Sequence, residues 1–263
     1  MAIYKHKGNT TDYVNTARLI QTKYLIPNNT NAEATLATLM YDYQDGYFNA
    51  TSTDSQYLSW MWRRAPSYFD VVAYTGNGTA GRTVSHNLGV APEMMWVKRR
   101  DSADIWTVYH SALGAGKRLK LHQTTAAEDD LSSFNNTAPT SSVFTVGSLG
   151  QINGSGGTYI AYLFASLDGV SKVGSFTHTN GTATNVDCGF SNGARFVLLK
   201  YYDQASDWWV FDTERGIAAG NDARLILNNT NSETSTDQID PYSAGFTYDS
   251  ARASGDIIFY AIA

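Results

Sequence analysis

The chain has 263 residues, of which 43% are hydrophobic and 16% charged, and its formal net charge is −5. This hydrophobic content can build a core, which excludes a disordered chain, and the negative charge disfavours a nucleic-acid-binding protein. The single cysteine, Cys188, excludes an intramolecular disulfide framework. No apolar run reaches the roughly 18 residues of a membrane-spanning helix, so no membrane insertion is expected.

The first segment, residues 1–66, predicts a shortened structural unit. Residues 25–33 (LIPNNTNAE) match residues 225–233 (LILNNTNSE) near the other end of the chain. Residues 1–5 align with the strand predicted at 196–200, and residues 58–62 align with the strand that closes each later unit. The opening pair of strands that both later units possess has no counterpart in this segment.

The second segment, residues 67–168, predicts a complete unit that begins with a hairpin. A strand at 71–74 leads into Thr-Gly-Asn-Gly, and a second strand at 82–85 leads away. An Asn-Gly pair between two such runs is typical of a tight hairpin turn. Residues 76–81 also match G-x-G-x-x-G, but nucleotide binding requires a helix next and a strand is predicted there. We therefore interpret the glycines as a turn.

The third segment, residues 169–263, repeats the second. An apolar run followed by Lys, two residues and Asp occurs in both, so that Lys98 aligns with Lys200, and Trp106 aligns with Trp208. Each copy closes with Ser-Gly and an apolar strand. Short strands separated by frequent turn signals predict an all-β fold of tandem β-sandwich repeats whose N-terminal copy is incomplete.

Catalytic, cofactor and metal sites are not predicted. The five histidines lack metal-ligand spacing and are interpreted as solvated or capping residues; they are His6, His86, His110, His122 and His178. A glycosidase-type carboxylate pair assembled by the fold stays open as an alternative.

Tryptophans are the candidate contact or ligand-binding residues. Trp106 and Trp208 recur at aligned positions, which favours a role in the core. Trp209 points to the opposite face of its strand, so we expect it at a surface or a contact. Trp60 and Trp62 share one face of the first closing strand and are the other two candidates.

Four segments are distinctive: residues 63–78 (RRAPSYFDVVAYTGNG), 85–94 (SHNLGVAPEM), 138–144 (APTSSVF) and 186–191 (VDCGFS). They resemble a repeated domain of virion proteins from tailed bacteriophages, especially marine ones. The resemblance covers residues 60–263 well and residues 1–59 as a shortened copy. It implies a virion structural protein of the tail-fibre or appendage type, and it carries over no catalytic residue.

Three functional hypotheses follow from this resemblance. The first is a non-enzymatic tail fibre or appendage component that contributes to adhesion to host surface glycans, where an oligomer, with a trimer favoured, would gain by avidity. The second is a capsid decoration or tail-structural adaptor protein that contacts other virion proteins. A glycan-degrading tail enzyme is the third and least favoured.

The incomplete first unit predicts a contact. A sandwich without its opening strands leaves a sheet edge or an apolar face uncovered. We expect another chain to cover it, with residues 1–5 as an edge strand and Trp60 and Trp62 near the contact. The alternative is that residues 5–24 fold back and fill the gap.

Overall fold

Strands form nearly all the regular structure of the computed structural model, which describes residues 1–36, 39–40, 48–49 and 55–263. Within those residues the only helix is α1 (Gly150–Asn153), a single turn. The prediction of an all-β fold is therefore confirmed. The units below are named by the boundaries predicted from the sequence: unit 1 (1–66), unit 2 (67–168) and unit 3 (169–263).

Unit 1 contains seven described strands: β1 (Ala2–His6), β2 (Val14–Thr16), β3 (Lys23–Tyr24), β4 (Ala34–Thr35), β5 (Leu39–Met40), β6 (Phe48–Asn49) and β7 (Tyr57–Met61). Its main sheet has the antiparallel order β2-β1-β7. The expectation that residues 1–5 form an edge strand is wrong, because β1 lies between two neighbours. All five of its residues are buried, which suits a central strand.

Unit 2 contains β8 (Phe69–Thr75), β9 (Arg82–Ser85), β10 (Met94–Arg99), β11 (Trp106–His110), β12 (Lys117–Lys120), β13 (Glu128–Asp129), β14 (Val143–Val146) and β15 (Thr158–Phe164). Its large sheet has the order β13-β12-β11-β10-β15-β8, and β9 pairs with β14 in a second, smaller sheet. The two sheets enclose a core of their own, which includes Val84, Val97 and Phe144.

Unit 3 contains β16 (Ser171–His178), β17 (Thr184–Asp187), β18 (Phe196–Tyr201), β19 (Trp209–Asp212), β20 (Asn221–Ile226), β21 (Thr234–Asp237), β22 (Ile239–Tyr242), β23 (Gly245–Tyr248) and β24 (Gly255–Ile262). Its large sheet has the order β16-β24-β18-β19-β20-β21, and its small sheet the order β17-β23-β22. Val197, Trp209 and Phe246 are among the residues buried between them.

The large sheets of units 2 and 3 have the same strand order and the same register. Met94 lies opposite His110 in unit 2, and Phe196 lies opposite Asp212 in unit 3. These pairs agree with the alignment of Lys98 and Lys200 made from the sequence. In unit 1 the order β7-β1-β2 corresponds to β15-β10-β11, and the bridge between Asn15 and Leu25 continues the sheet toward β3.

The three units share one hydrophobic core. It takes residues from each of them, among them Ile3, Trp96 and Leu198. Trp62 of unit 1 lies at the meeting point, because its ring centroid is 6.3 Å from that of Phe164 and 5.6 Å from that of Phe196. Each large sheet of units 2 and 3 therefore has two buried faces, one in this shared core and one in its own sandwich.

Equivalent backbone hydrogen bonds join the units in a closed ring. Glu33 N donates to Arg100 O (2.8 Å), Ala127 N to Tyr202 O (2.7 Å) and Glu233 N to Lys7 O (2.8 Å). Each acceptor lies two residues after a buried lysine, namely Lys98, Lys200 and Lys5. Unit 1 is thus bonded to unit 2, unit 2 to unit 3, and unit 3 back to unit 1.

The two aligned tryptophans also connect neighbouring units. Trp106 Nε1 donates to the carbonyl of Ile26 (2.9 Å), and Trp208 Nε1 donates to the carbonyl of Lys120 (3.1 Å). Both side chains are buried, as predicted. The indole N–H of each tryptophan has a carbonyl acceptor. Both residues are therefore buried in the shared core without an unpaired hydrogen-bond donor.

The glycine-rich segment 76–81 is a turn between β8 and β9, but the two strands do not form the predicted hairpin, because β8 pairs with β15 and β9 pairs with β14. Gly78 has φ of 72°, in the left-handed region that favours glycine. Gly76 packs so closely on the backbone that an added Cβ would lie 2.1 Å from the carbonyl oxygen of Gly154. The strand β9 follows, so the segment lacks the helix that a phosphate-binding loop needs.

Candidate functional site

The outer edge of β7 is the place where unit 1 departs from the other two units. In units 2 and 3 the corresponding strands have neighbours on both sides, β15 between β8 and β10 and β24 between β16 and β18. Among the described residues β7 pairs with β1 alone. Residues 5–24 do not fill this gap, because β2 pairs with the opposite edge of β1 and none of these residues pairs with the outer edge of β7. The alternative in which residues 5–24 fold back over the gap is therefore wrong.

A groove of about 430 Å³ lies along β7, between unit 1 and unit 3. Unit 3 contributes the start of β18, the end of β19 with the turn after it, and the last residues of the chain. The lining residues are Leu58, Ser59, Trp60, Met61, Trp62, Arg195, Phe196, Asp212, Thr213, Glu214, Arg215, Ile262 and Ala263. The groove therefore has an aromatic and aliphatic wall on one side and a charged rim on the other.

Trp60 is held in place as one wall of this groove. Its indole Nε1 donates to Asp212 Oδ2 (2.9 Å), and the guanidinium of Arg215 lies 5.6 Å from its ring centroid. Tyr13 stacks on it at 6.4 Å, and Phe196 contacts it edge-on at 5.9 Å. With these four neighbours the ring is a fixed surface of the groove.

The charged groups on the rim are paired with one another. Arg215 Nε bonds Asp212 Oδ2 at 2.7 Å, and its Nη1 bonds Glu233 Oε2 at 3.1 Å. Arg195 and Glu214, both largely exposed, approach to 3.7 Å. Because each lining cation has a carboxylate partner, the groove presents little net charge and suits an uncharged occupant.

The structure brings two of the three candidate tryptophans to this groove and excludes the third. Trp60 and Trp62 both line it, although Trp62 is only 3% exposed. Trp209 was expected at a surface, which is wrong, because its side chain is fully buried. It does point away from Trp208, but the second face of its sheet is covered by the small sheet of unit 3 and by Arg252, whose guanidinium lies 4.2 Å from the ring centroid.

Three site residues were not found from the sequence: Asp212, Glu214 and Arg215. They lie at the end of β19 and in the turn after it. Asp212 comes 152 residues after Trp60 in the sequence. Ion-pair spacing between Asp212 and Arg215 is visible in the sequence, but the indole that Asp212 accepts from is brought there only by the packing of unit 1 on unit 3.

Among the described residues, no cluster of three or more His, Cys, Asp or Glu side chains could hold a metal ion. His110 Nδ1 accepts from Ala112 N (3.2 Å) and His86 Nδ1 accepts from Leu88 N (3.3 Å), so these two histidines act as local caps. Burial lowers the pKa of His110 to about 4, which keeps the ring neutral near pH 7.

Helices long and apolar enough to cross a membrane do not occur among the residues that the structure describes.

One family model, described as "Domain of unknown function (DUF7483)", matches residues 3–263. The chain belongs to this family. The match runs from β1 to the end of β24, so the DUF7483 domain includes all three units, the shared core and the groove. No curated protein and no solved structure matches the chain.

Proposed function

We propose that this DUF7483 protein is a non-enzymatic structural component of a tailed-bacteriophage virion, of the tail-fibre or appendage type, that contributes to adhesion to the host surface. The four segments that resemble phage virion proteins support this proposal. The proposed partners are other virion proteins and host surface glycans, and the proposed location is the virion.

The resembling segments have structural roles, which suits a family of scaffolds. Asp70, in the first segment, accepts from Arg64 Nε (2.6 Å) and from Val71 N (2.8 Å) through Oδ1. Its Oδ2 accepts from Asn87 N (2.8 Å), in the second segment. These bonds hold the corner where unit 1 passes into unit 2, so the motif residues maintain the shape of the body.

The groove along β7 is the observation that most favours an interaction protein. Its aromatic wall is fixed, its rim is charge-paired, and it lies beside a strand whose second edge has no partner among the described residues. Unpaired sheet edges are sites of strand addition and assembly. The same observation supports the second candidate, a capsid decoration or tail-structural adaptor protein.

The glycan-degrading alternative gains no support from the groove. Its carboxylates are Asp212 and Glu214, and each is ion-paired with an arginine, while Asp212 also accepts from the Trp60 indole. A general acid needs a carboxyl group that is held protonated near neutral pH. Neither residue has the apolar, unpaired surroundings that would hold it so.

Locating the protein in the particle tests the proposal. Antibodies against the chain, visualised on intact phage by gold labelling, should mark the tail periphery, whereas labelling of the capsid surface would favour the decoration protein. Absence of the chain from purified particles would overturn both.

Purified protein should also bind host cells without releasing reducing sugars from their envelopes. Light scattering should detect the expected trimer.

A further inference from the structure

The strands that correspond to β7 in units 2 and 3 show what a complete edge looks like. β8 pairs antiparallel with β15, placing Phe69 opposite Phe164 and Val71 opposite Tyr162. β16 pairs with β24 in the same way, with Ser171 opposite Ile262. The ladders to β1 and β10 assign Trp62 to the position of Phe164, and Trp60 to that of Tyr162.

Two side chains on the outer face of β7 are exposed as well. Tyr57 is 42% exposed and Met61 is 53% exposed. The residues at the corresponding positions of unit 2 are Tyr159 and Leu163, and both are fully buried. In units 2 and 3 the strand beside this edge, β8 or β16, leads through a turn into the small sheet, where β9 pairs with β14 and β17 pairs with β23. Among the described residues of unit 1 no strand equivalent to β8 or β16 pairs with β7.

Backbone groups of β7 on this side have no strand partner among the described residues. Trp62 N donates to Met1 O (2.8 Å) and Met1 N donates to Trp62 O (2.9 Å), so Trp62 turns its polar groups toward β1. Polar groups alternate along an antiparallel strand, and those of Tyr57, Ser59 and Met61 consequently point to the outer edge. The same alternation holds in unit 2, where Ala165 N is directed away from β10 and donates to Tyr68 O, on the side of β8 (3.1 Å).

We propose that β7 and the groove bind a β-strand of a partner polypeptide, which adds antiparallel to β7. By analogy with β8, the strand carries an aromatic residue opposite Trp62 and a β-branched residue opposite Trp60. Backbone bonds to Ser59 and its neighbours supply affinity, and the alternate side chains supply specificity. The ion-paired rim favours a strand without charge at the buried positions. The inference does not depend on the virion assignment.

A sugar is a poorer fit for the same groove. Sugar sites present an aromatic face and free polar groups, whereas Trp60 is already contacted by Tyr13, Phe196 and Arg215. Asp212 and Arg215 are bonded to each other. The exposed side chains of Tyr57 and Met61 point to the opposite face of β7 from Trp60, and a strand added along the edge would run beside all three residues.

Binding of a peptide probe tests the proposal. The probe is a fluorescein-labelled peptide of residues 69–87, which contains the chain's own β8, added to the intact protein and followed by fluorescence anisotropy. We expect saturable binding and slower amide exchange at Ser59 and Met61. A peptide carrying Phe69→Lys and Val71→Lys is the matched control and should not bind.

Two variants of one residue separate backbone pairing from side-chain contact. Ser59→Pro removes an edge N–H while leaving the β1 side of the ladder intact, a substitution that edge strands tolerate. It should weaken peptide binding about tenfold relative to Ser59→Ala, which removes the side-chain hydroxyl but keeps the N–H. Equal binding to both variants would overturn the strand-addition geometry.

A fusion keeps the test decisive if the free peptide is too disordered to bind. Residue 94 corresponds to Met1 by the shared register of β10 and β1, so residues 67–93 joined before Met1 reproduce the connection found in unit 2. The fusion should raise the melting temperature and protect Ser59 and Met61 from exchange, and Ser59→Pro should cancel both effects. A fusion with no protection, together with no peptide binding, would overturn the proposal.

Discussion

Three lysines at corresponding positions place their ammonium groups in the interior of the protein. Lys5, Lys98 and Lys200 are all fully buried. Lys5 Nζ donates to Thr230 O in unit 3 (3.0 Å), and Lys200 Nζ donates to Thr124 O in unit 2 (3.2 Å). Burial lowers the pKa of each lysine to about 8. The bonds join units, while the desolvated charge opposes folding.

Substitution of Lys200 should change how stability depends on pH. Between pH 8 and pH 10.5 the folded chain has released a proton that the unfolded chain still binds, so this lysine makes stability rise with pH over that window. Relative to Lys200→Met, the wild type should gain about 1 kcal/mol of unfolding free energy per pH unit there. Denaturant titrations at several pH values measure it, and parallel curves would contradict the lowered pKa.

Substitution of either Trp208 or Trp209 should destabilise the protein as the loss of a core side chain does. One lies in the shared core and the other in the sandwich of unit 3, and both are buried. Trp208→Ala and Trp209→Ala should each lower the unfolding free energy by about 3–5 kcal/mol. Val170→Ala, at a site 40% exposed, is the control and should have little effect. A small loss of unfolding free energy in Trp209→Ala would mean that the face of the large sheet that carries Trp209 is less tightly covered.

At the scale of elements, one amide holds the turn between β8 and β9 of unit 2. Asn153 Nδ2 donates to Thr79 O (2.9 Å) and Gly147 O (2.7 Å), and its Oδ1 accepts from Asn77 N (3.0 Å). Asn153→Asp keeps the size but loses both donors, and should cost about 2–3 kcal/mol. Amide exchange at residues 76–81 should accelerate. Asn185→Asp, which keeps its acceptor role toward Thr247, is the matched control.

The strands were predictable from sequence to the extent that they repeat. The alignment of Lys98 with Lys200 anticipated the register of β10 and β18, because alternation of apolar residues determines which side chains share a face. It could not show that the face of Trp209 is covered, since that depends on a second sheet formed by distant residues. The groove at Trp60 was only partly predictable, because Asp212 and Arg215 reach it through packing between units.

At the scale of the whole molecule, the shared core should make unfolding cooperative. All three units contribute to it, and hydrogen bonds close the ring between them. Calorimetry should therefore detect a single transition whose calorimetric and van't Hoff enthalpies agree. Two separated transitions would mean that the sandwiches of units 2 and 3 are independent domains.

Removal of unit 1 is the complementary test. A chain of residues 67–263 would expose the partners of Trp62, including Phe164 and Phe196, to water. We expect this fragment to melt at a lower temperature and to bind a hydrophobic dye, whereas the intact chain should not bind the dye. A fragment as stable as the whole chain would contradict the importance of the shared core.

The open edge of β7 also determines how many partners one molecule can hold. A ring assembled from three identical subunits would present three equivalent docking positions, whereas this chain occupies two of them with its own strands, β8 and β16. Covalent linkage of the units thus reduces the valence of the ring from three to one. A particle built through this contact would have a one-to-one stoichiometry at each ring and a defined rotational orientation, since only one of the three sectors can accept a partner.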